Sequence, residues 1–119
     1  MRVQGLAAGL LLLAAVSAAG ECPEIVPLVV VGGACAGQEA AATPTALHAQ
    51  AAAFVATALQ PDCPRARLLA GAVRQLRRAR ALVERGLRRD RLETACADQL
   101  RGQLGDTARR LQLLRDQPR

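Results

Sequence analysis

Three stretches of the chain repeat hydrophobic residues at the three- and four-residue spacing of an amphipathic α-helix. This spacing predicts helices over about residues 44–60, 64–85 and 91–116. The predicted hydrophobic faces comprise Leu47, Phe54, Val55, Ala58 and Leu59 on the first helix, Leu69, Ala72, Val73, Leu76, Ala79 and Val83 on the second, and Leu92, Cys96, Leu100, Leu104, Ala108, Leu111 and Leu114 on the third.

Residues that start and stop helices stand near these boundaries. Thr43 is a suitable N-cap, and Pro44 after it suits a first helical turn. Gly86 is a typical stop, and Asp90 with Glu93 resembles a capping box for the third helix. One long helix running through Gly86 is the alternative, but the coincidence of a stop and a start signal favours a hairpin.

The region before the first helix differs in composition. Residues 21–42 contain Pro23 and Pro27, which oppose helix formation, and a β-branched run followed by a Gly-rich passage. We therefore predict a signal peptide over 1–20, an extended, Gly-rich arm over 21–42 and a helical bundle over 43–119. The expected fold is all-α: a small three-helix up-down-up bundle, with its N-terminal arm pinned by two disulfides.

The first twenty residues have the pattern of a secretory signal peptide. Arg2 provides positive charge, residues 6–16 are apolar, and small residues follow, so that cleavage after Ala18 or after Gly20 fits. A retained membrane anchor is the alternative, but a spanning helix needs about 20 apolar residues. The expected location is secreted or periplasmic.

Four cysteines remain after the predicted signal peptide: Cys22, Cys35, Cys63 and Cys96. An even number of cysteines in an exported chain favours disulfides. Structural zinc sites use closely spaced cysteine pairs, which are absent here, and free thiols are the other alternative.

The hairpin register selects one pairing among the three that four cysteines allow. If the second and third helices pair about a turn near residues 87–88, Cys96 lies level with Ala79, about 24 Å along the helix from Cys63. A disulfide needs Cα atoms within about 7 Å, which excludes Cys63–Cys96. The start of the first helix returns to the level of Ala79, so Cys35 reaches Cys96 and Cys22 pairs with Cys63.

Charge is divided unequally along the 119-residue chain, whose net charge is +6. Residues 21–63 contain four acids and no Lys or Arg, whereas residues 64–119 contain fifteen Arg and six acids. A helical wheel places Arg67, Arg74, Arg78 and Arg85 within about 40° of one another, opposite the hydrophobic face. The candidate anion-binding residues are Arg67, Arg74, Arg77, Arg78, Arg85, Arg88 and Arg89. An ordinary solvated face, enriched in Arg by a GC-rich genome, is the alternative.

Few residues suit catalysis. His48 is the single histidine, and a disulfide at Cys35 would remove the one thiol considered as its nucleophilic partner. The sequence has no C-x-x-C redox motif or metal-binding cluster, and no aromatic residues interleave with the arginines to stack nucleic-acid bases. We expect a non-enzymatic protein without cofactor or metal.

The sequence therefore predicts a small exported binding or accessory protein. Its Arg-rich face would bind an anionic lipid headgroup, an envelope polymer or an acidic protein, but not nucleic acid. The alternative is a structural or assembly protein that associates with itself through Leu and Ala helix faces.

Overall fold

The computed structural model describes residues 22–23 and 25–117, and the predicted signal peptide over residues 1–20 lies outside them. Three long helices confirm the predicted bundle, and the described residues form no strand. The helices are α1 (Ala42–Ala58), α2 (Arg65–Arg88) and α3 (Thr94–Asp116), preceded by two 3-10 helices at Gly33–Cys35 and Glu39–Ala41. None of the described helices is both long enough and apolar enough to cross a membrane.

The core is built largely from small side chains. Ala51, Ala72 and Ala79 have no exposed surface, and Leu100 and Leu104 are among the largest of the fully buried side chains. Of the three helix pairs, α1 and α2 make the most extensive contact. Methyl groups bury less area than Leu or Phe side chains, so each contributes less hydrophobic free energy to folding.

The predicted faces of α2 and α3 are confirmed, because their hydrophobic residues are buried or packed against the core. The prediction for Leu59 is wrong, since its side chain is 62% exposed. α1 ends at Ala58, and the Leu59 N–H donates to the Ala56 carbonyl, three residues back. That tighter turn takes Leu59 off the hydrophobic face.

The hairpin between α2 and α3 is confirmed, but Gly86 does not end α2. The helix continues to Arg88, and Asp90 adopts a left-handed φ of 56°. Arg91 N–H donates to the Gly86 carbonyl at 2.8 Å, and Asp90 N–H donates to the Leu87 carbonyl at 3.2 Å. This is the hydrogen-bond pattern of a Schellman motif, with Asp90 in the position that glycine usually takes.

Gly86 instead allows close packing across the turn. A Cβ atom there would lie 3.0 Å from both Cγ and Cδ1 of Leu92, a side chain that is only 4% exposed. The turn therefore folds Leu92 back onto the last turns of α2, and a larger residue at 86 would have to displace its side chain.

The two predicted N-caps, Thr43 and Asp90, do not cap a helix in the structure. α1 continues directly from the 3-10 helix and begins at Ala42, so Thr43 lies inside the first turn rather than at the N-cap. Asp90 belongs to the end of α2 and forms no capping box with Glu93. The Glu93 N–H donates instead to Oε1 of Gln38 at 3.2 Å, so a distant side chain satisfies this donor.

The predicted disulfides are confirmed. Cys22 is bonded to Cys63, with 4.8 Å between Cα atoms, and Cys35 to Cys96, with 4.6 Å. Between the cysteines of the N-terminal segment, residues 25–31 form neither helix nor strand. This segment is therefore covalently attached to the bundle on both sides.

Gln99 reinforces the second attachment. It lies one helical turn after Cys96, and its Oε1 accepts from the Ala34 N–H at 2.8 Å while its Nε2 donates to the Gly32 carbonyl at 2.9 Å. Gly33 between them has a φ of 61°, and a Cβ there would lie 2.5 Å from Oε1 of Gln99. Glycine at 33 therefore suits both the left-handed backbone and the close approach of the Gln99 amide.

Removing either disulfide should lower the free energy of unfolding by about 2–4 kcal/mol, because the unfolded chain gains freedom. The free energy of unfolding should fall further in the Cys35→Ala/Cys96→Ala variant than in the Cys22→Ala/Cys63→Ala variant. Cys35 and Cys96 are 61 rather than 41 residues apart, and both are fully buried, so truncation also leaves a cavity. Denaturant unfolding of both variants measures the two losses of stability. A larger loss in the variant without Cys22–Cys63 would contradict this prediction.

Two glycine substitutions should have opposite effects. Gly86→Ala should destabilise the protein by about 1–3 kcal/mol, because the added methyl collides with Leu92. Gly102→Ala on α3 should stabilise it by up to about 1 kcal/mol, since the site is exposed and no atom lies within 4 Å of the added Cβ. Thermal unfolding compares them, and stabilisation by Gly86→Ala would show that Leu92 moves away easily.

Candidate anion-binding face

The side of α2 turned away from the core carries five exposed arginines. We call this set the arginine stripe: Arg67, Arg74, Arg77, Arg78 and Arg85. The α-helical rise gives the stripe a length of about 27 Å from Arg67 to Arg85. Arg88 and Arg89 are also exposed, at the end of α2, so all seven arginines selected from the sequence lie at the surface.

Few acidic residues lie near the arginine stripe in sequence. Glu84 is the single Asp or Glu within α2. Glu84 accepts two hydrogen bonds from Arg101 of α3, at 2.6 and 2.8 Å. This hydrogen bonding lowers the pKa of Glu84, so the carboxylate is ionised and already engaged with another helix.

Ion pairs in the described part of the chain involve other arginines. Arg101 also contacts Asp98 at 3.2 Å, and Arg109 pairs with Asp106. Across residues 22–23 and 25–117, no member of the arginine stripe forms a salt bridge. The positive charge on the outer face of α2 is therefore not neutralised by a neighbouring carboxylate in this part of the chain.

A groove lies beside one end of the arginine stripe, between the first half of α2 and the last turn of α3. Its volume is roughly 640 Å³. Arg74 and Arg77 of the stripe line it, together with Arg65 and Arg115. Apolar side chains, including Leu69, Val73 and Leu114, form the rest of its lining.

Sequence reasoning did not find this groove. The stripe was recognised from the wheel of one helix, whereas the groove needs the end of α3 beside the start of α2. The antiparallel hairpin was the available signal, because it predicts that Leu114 and Arg115 return towards Arg65. How far the two helices separate there depends on side-chain packing.

His48 is held by a structural contact. It is half-buried on α1, and its Nε2 lies 2.7 Å from Oγ1 of the buried Thr107. Burial lowers the pKa of His48, a hydrogen bond with the Gln103 backbone opposes this shift, and the charge of Arg110 adds to it. Cys35 is bonded to Cys96 and offers no thiol to the histidine.

The described residues also hold no cluster of three or more His, Cys, Asp or Glu side chains that could bind a metal ion. The exposed arginines and the adjoining groove are thus the features of the described surface with the clearest binding chemistry.

In comparisons with known proteins, no protein-family model, no curated protein and no solved structure matches the chain. Its function is therefore inferred from its residues and geometry.

The lowered pKa of His48 predicts a loss of stability in mild acid. Below about pH 6.5, the ordinary pKa of the side chain, the unfolded chain binds a proton more readily than the folded protein does. The free energy of unfolding therefore decreases as the pH decreases. His48→Gln should reduce this slope, because His48 is the single histidine. Unfolding of both proteins between about pH 5 and pH 7 tests this; parallel stability curves would contradict it.

Proposed function

We propose that this chain is a small exported helical protein that binds an anionic partner through the arginine stripe, as a binding or accessory module. The observation that carries the proposal is the row of exposed arginines on α2 without salt bridges in the described part of the chain. Charge of one sign along a helix raises the local concentration of oppositely charged partners.

Guanidinium groups suit anions that present several oxygen atoms. Their planar, forked donors match phosphate and carboxylate groups. The length of the stripe, about 27 Å, favours a partner that repeats its charge: a layer of lipid headgroups, an envelope polymer or an acidic protein surface. The chain has no Trp or Tyr and one Phe, so it offers little for base stacking, and we do not propose nucleic acid as the partner.

The proposed location is secreted or periplasmic. Two disulfides are compatible with an oxidising compartment, because such bonds persist there and are rare in the reducing cytosol. The signal-peptide pattern of residues 1–20 also supports export. In that setting the disulfides would keep α2 and its arginines in a fixed arrangement, which reduces the entropy lost on binding.

A second candidate is an assembly protein that associates with copies of itself. Exposed leucines favour it: Leu59 beyond α1 is 62% exposed and Leu113 on α3 is 65% exposed. Contacts between apolar side chains would be insensitive to salt, unlike binding through the arginine stripe. Light scattering at low and high salt distinguishes the two candidates, since a salt-insensitive dimer supports self-association.

Arg74→Gln/Arg78→Gln should weaken binding to vesicles that contain an anionic phospholipid by about tenfold to thirtyfold. Each basic residue near such a surface contributes about 1 kcal/mol. Added salt should weaken the wild type more than the variant, because fewer charges remain to be screened. Cosedimentation with vesicles, and with an anionic polysaccharide as a second probe, measures both effects.

Arg101→Gln/Arg109→Gln is the matched control. It removes the same formal charge, but from arginines that already pair with Glu84, Asp98 and Asp106. Equal weakening by the two double variants would mean that net charge alone attracts the probe. Unchanged binding of Arg74→Gln/Arg78→Gln to both probes would end the proposal for the stripe.

A further inference from the structure

The groove beside the arginine stripe combines two kinds of surface. Its floor is apolar: Leu69 and Leu114 are almost completely buried, and Val73 is half-buried. Ala66 and Ala70 occupy successive turns of α2 and are exposed at the groove. Since these two positions carry only methyl groups, the side chains of α2 do not fill the space above the floor.

The edges of the groove are positively charged. Four arginines line it, and none of the lining residues is acidic. One of them, Arg65, is anchored, because its guanidinium donates to the Leu114 carbonyl at 2.8 Å and to Oε1 of Gln117 at 3.5 Å. This contact satisfies a carbonyl at the end of α3 and joins the two helices beside the groove.

The other three arginines are available to a ligand. Arg74, Arg77 and Arg115 form no salt bridge within residues 22–23 and 25–117, and all three are exposed. They approach the same groove from two helices, so one anionic group could accept hydrogen bonds from both sides.

A ligand that suits only the apolar lining or only the arginines would use one part of the groove. A purely apolar ligand would not engage the guanidinium groups, and a small anion would not cover Ala66, Ala70 and Val73, the apolar lining residues that remain accessible to water. The volume, roughly 640 Å³, lies within the range of about 300–1,000 Å³ that is typical of small-molecule sites.

We propose that the groove binds a single-chain anionic amphiphile. The hydrocarbon chain would lie along Ala66, Ala70 and Val73, above the buried Leu69 and Leu114. The sulfate, phosphate or carboxylate head would contact Arg74, Arg77 and Arg115. This inference rests on the proposed function in one respect, because Arg74 and Arg77 also belong to the arginine stripe. It adds a ligand class and an apolar subsite that the stripe does not require.

Isothermal titration calorimetry with decyl sulfate below its micelle concentration tests the proposal, using 1-decanol and inorganic sulfate as half-ligands. Decyl sulfate should bind once per chain and at least about tenfold more tightly than either half-ligand, because it engages both surfaces. Ala70→Glu should weaken this binding at least about tenfold, since it places a carboxylate in the groove. Ala66→Glu, one turn earlier, should act in the same direction.

Ala81→Glu is the matched control. Ala81 is exposed on the same helix, next to the stripe in the wheel but outside the groove lining, and the change in charge is identical. It should weaken decyl sulfate binding much less than Ala70→Glu does, because position 81 is outside the groove and lies within one helical turn of Arg77 alone among the three head-group arginines. Both variants should reduce vesicle binding to a similar extent. Circular dichroism confirms that each variant remains helical.

The results separate this proposal from the function of the stripe. Equal binding of decyl sulfate to the Ala70→Glu and Ala81→Glu proteins, or no advantage over both half-ligands, would overturn the groove proposal. If anionic vesicles still bind in that case, the stripe function stands. If the wild type binds neither decyl sulfate nor vesicles, both proposals fail. A dimer that covers the groove and excludes decyl sulfate would also overturn the groove proposal.

Discussion

The arrangement of this protein depends on the two covalent ties between its N-terminal segment and the helices. The core relies on residues such as Ala51, Ala72 and Ala79, whose burial contributes little free energy per residue. Cys22–Cys63 and Cys35–Cys96 restrict the unfolded chain and so favour the folded state without requiring larger core side chains. The hydrogen bonds of Gln99 then fix the loop around the second tie.

Much of the fold could be predicted from the sequence because helix periodicity and axial rise are regular. They placed the hydrophobic faces of α2 and α3, and the level of Cys96 relative to Cys63 selected the disulfide pairing. Local details depended on tertiary contacts instead. Glycine at 86 is typical of a helix stop, yet here it allows Leu92 to pack closely against α2. Asp90 adopts the left-handed conformation of the turn instead. The wheel of α2 likewise predicted its exposed arginines, but the groove depends on two helices separating.

The arginines of α2 and α3 differ in their surroundings although they are alike in sequence. Arg101 and Arg109 have carboxylates within reach, so their charges are locally balanced. The outer face of α2 has no acid besides Glu84, which Arg101 already engages. This difference in pairing, more than the number of arginines, makes the face of α2 the candidate for recognition. The apolar floor beside Arg74 and Arg77 adds a feature that a merely solvated helix would not need.

The interleaved order of the four cysteines has a topological consequence. One disulfide joins the first cysteine to the third, and the other joins the second to the fourth. Any single peptide-bond scission between Cys22 and Cys96 thus leaves the two fragments linked by at least one bridge. A trypsin-like protease cutting after an arginine of α2 would nick the molecule without dividing it, and the nicked form would migrate intact until a reductant is added.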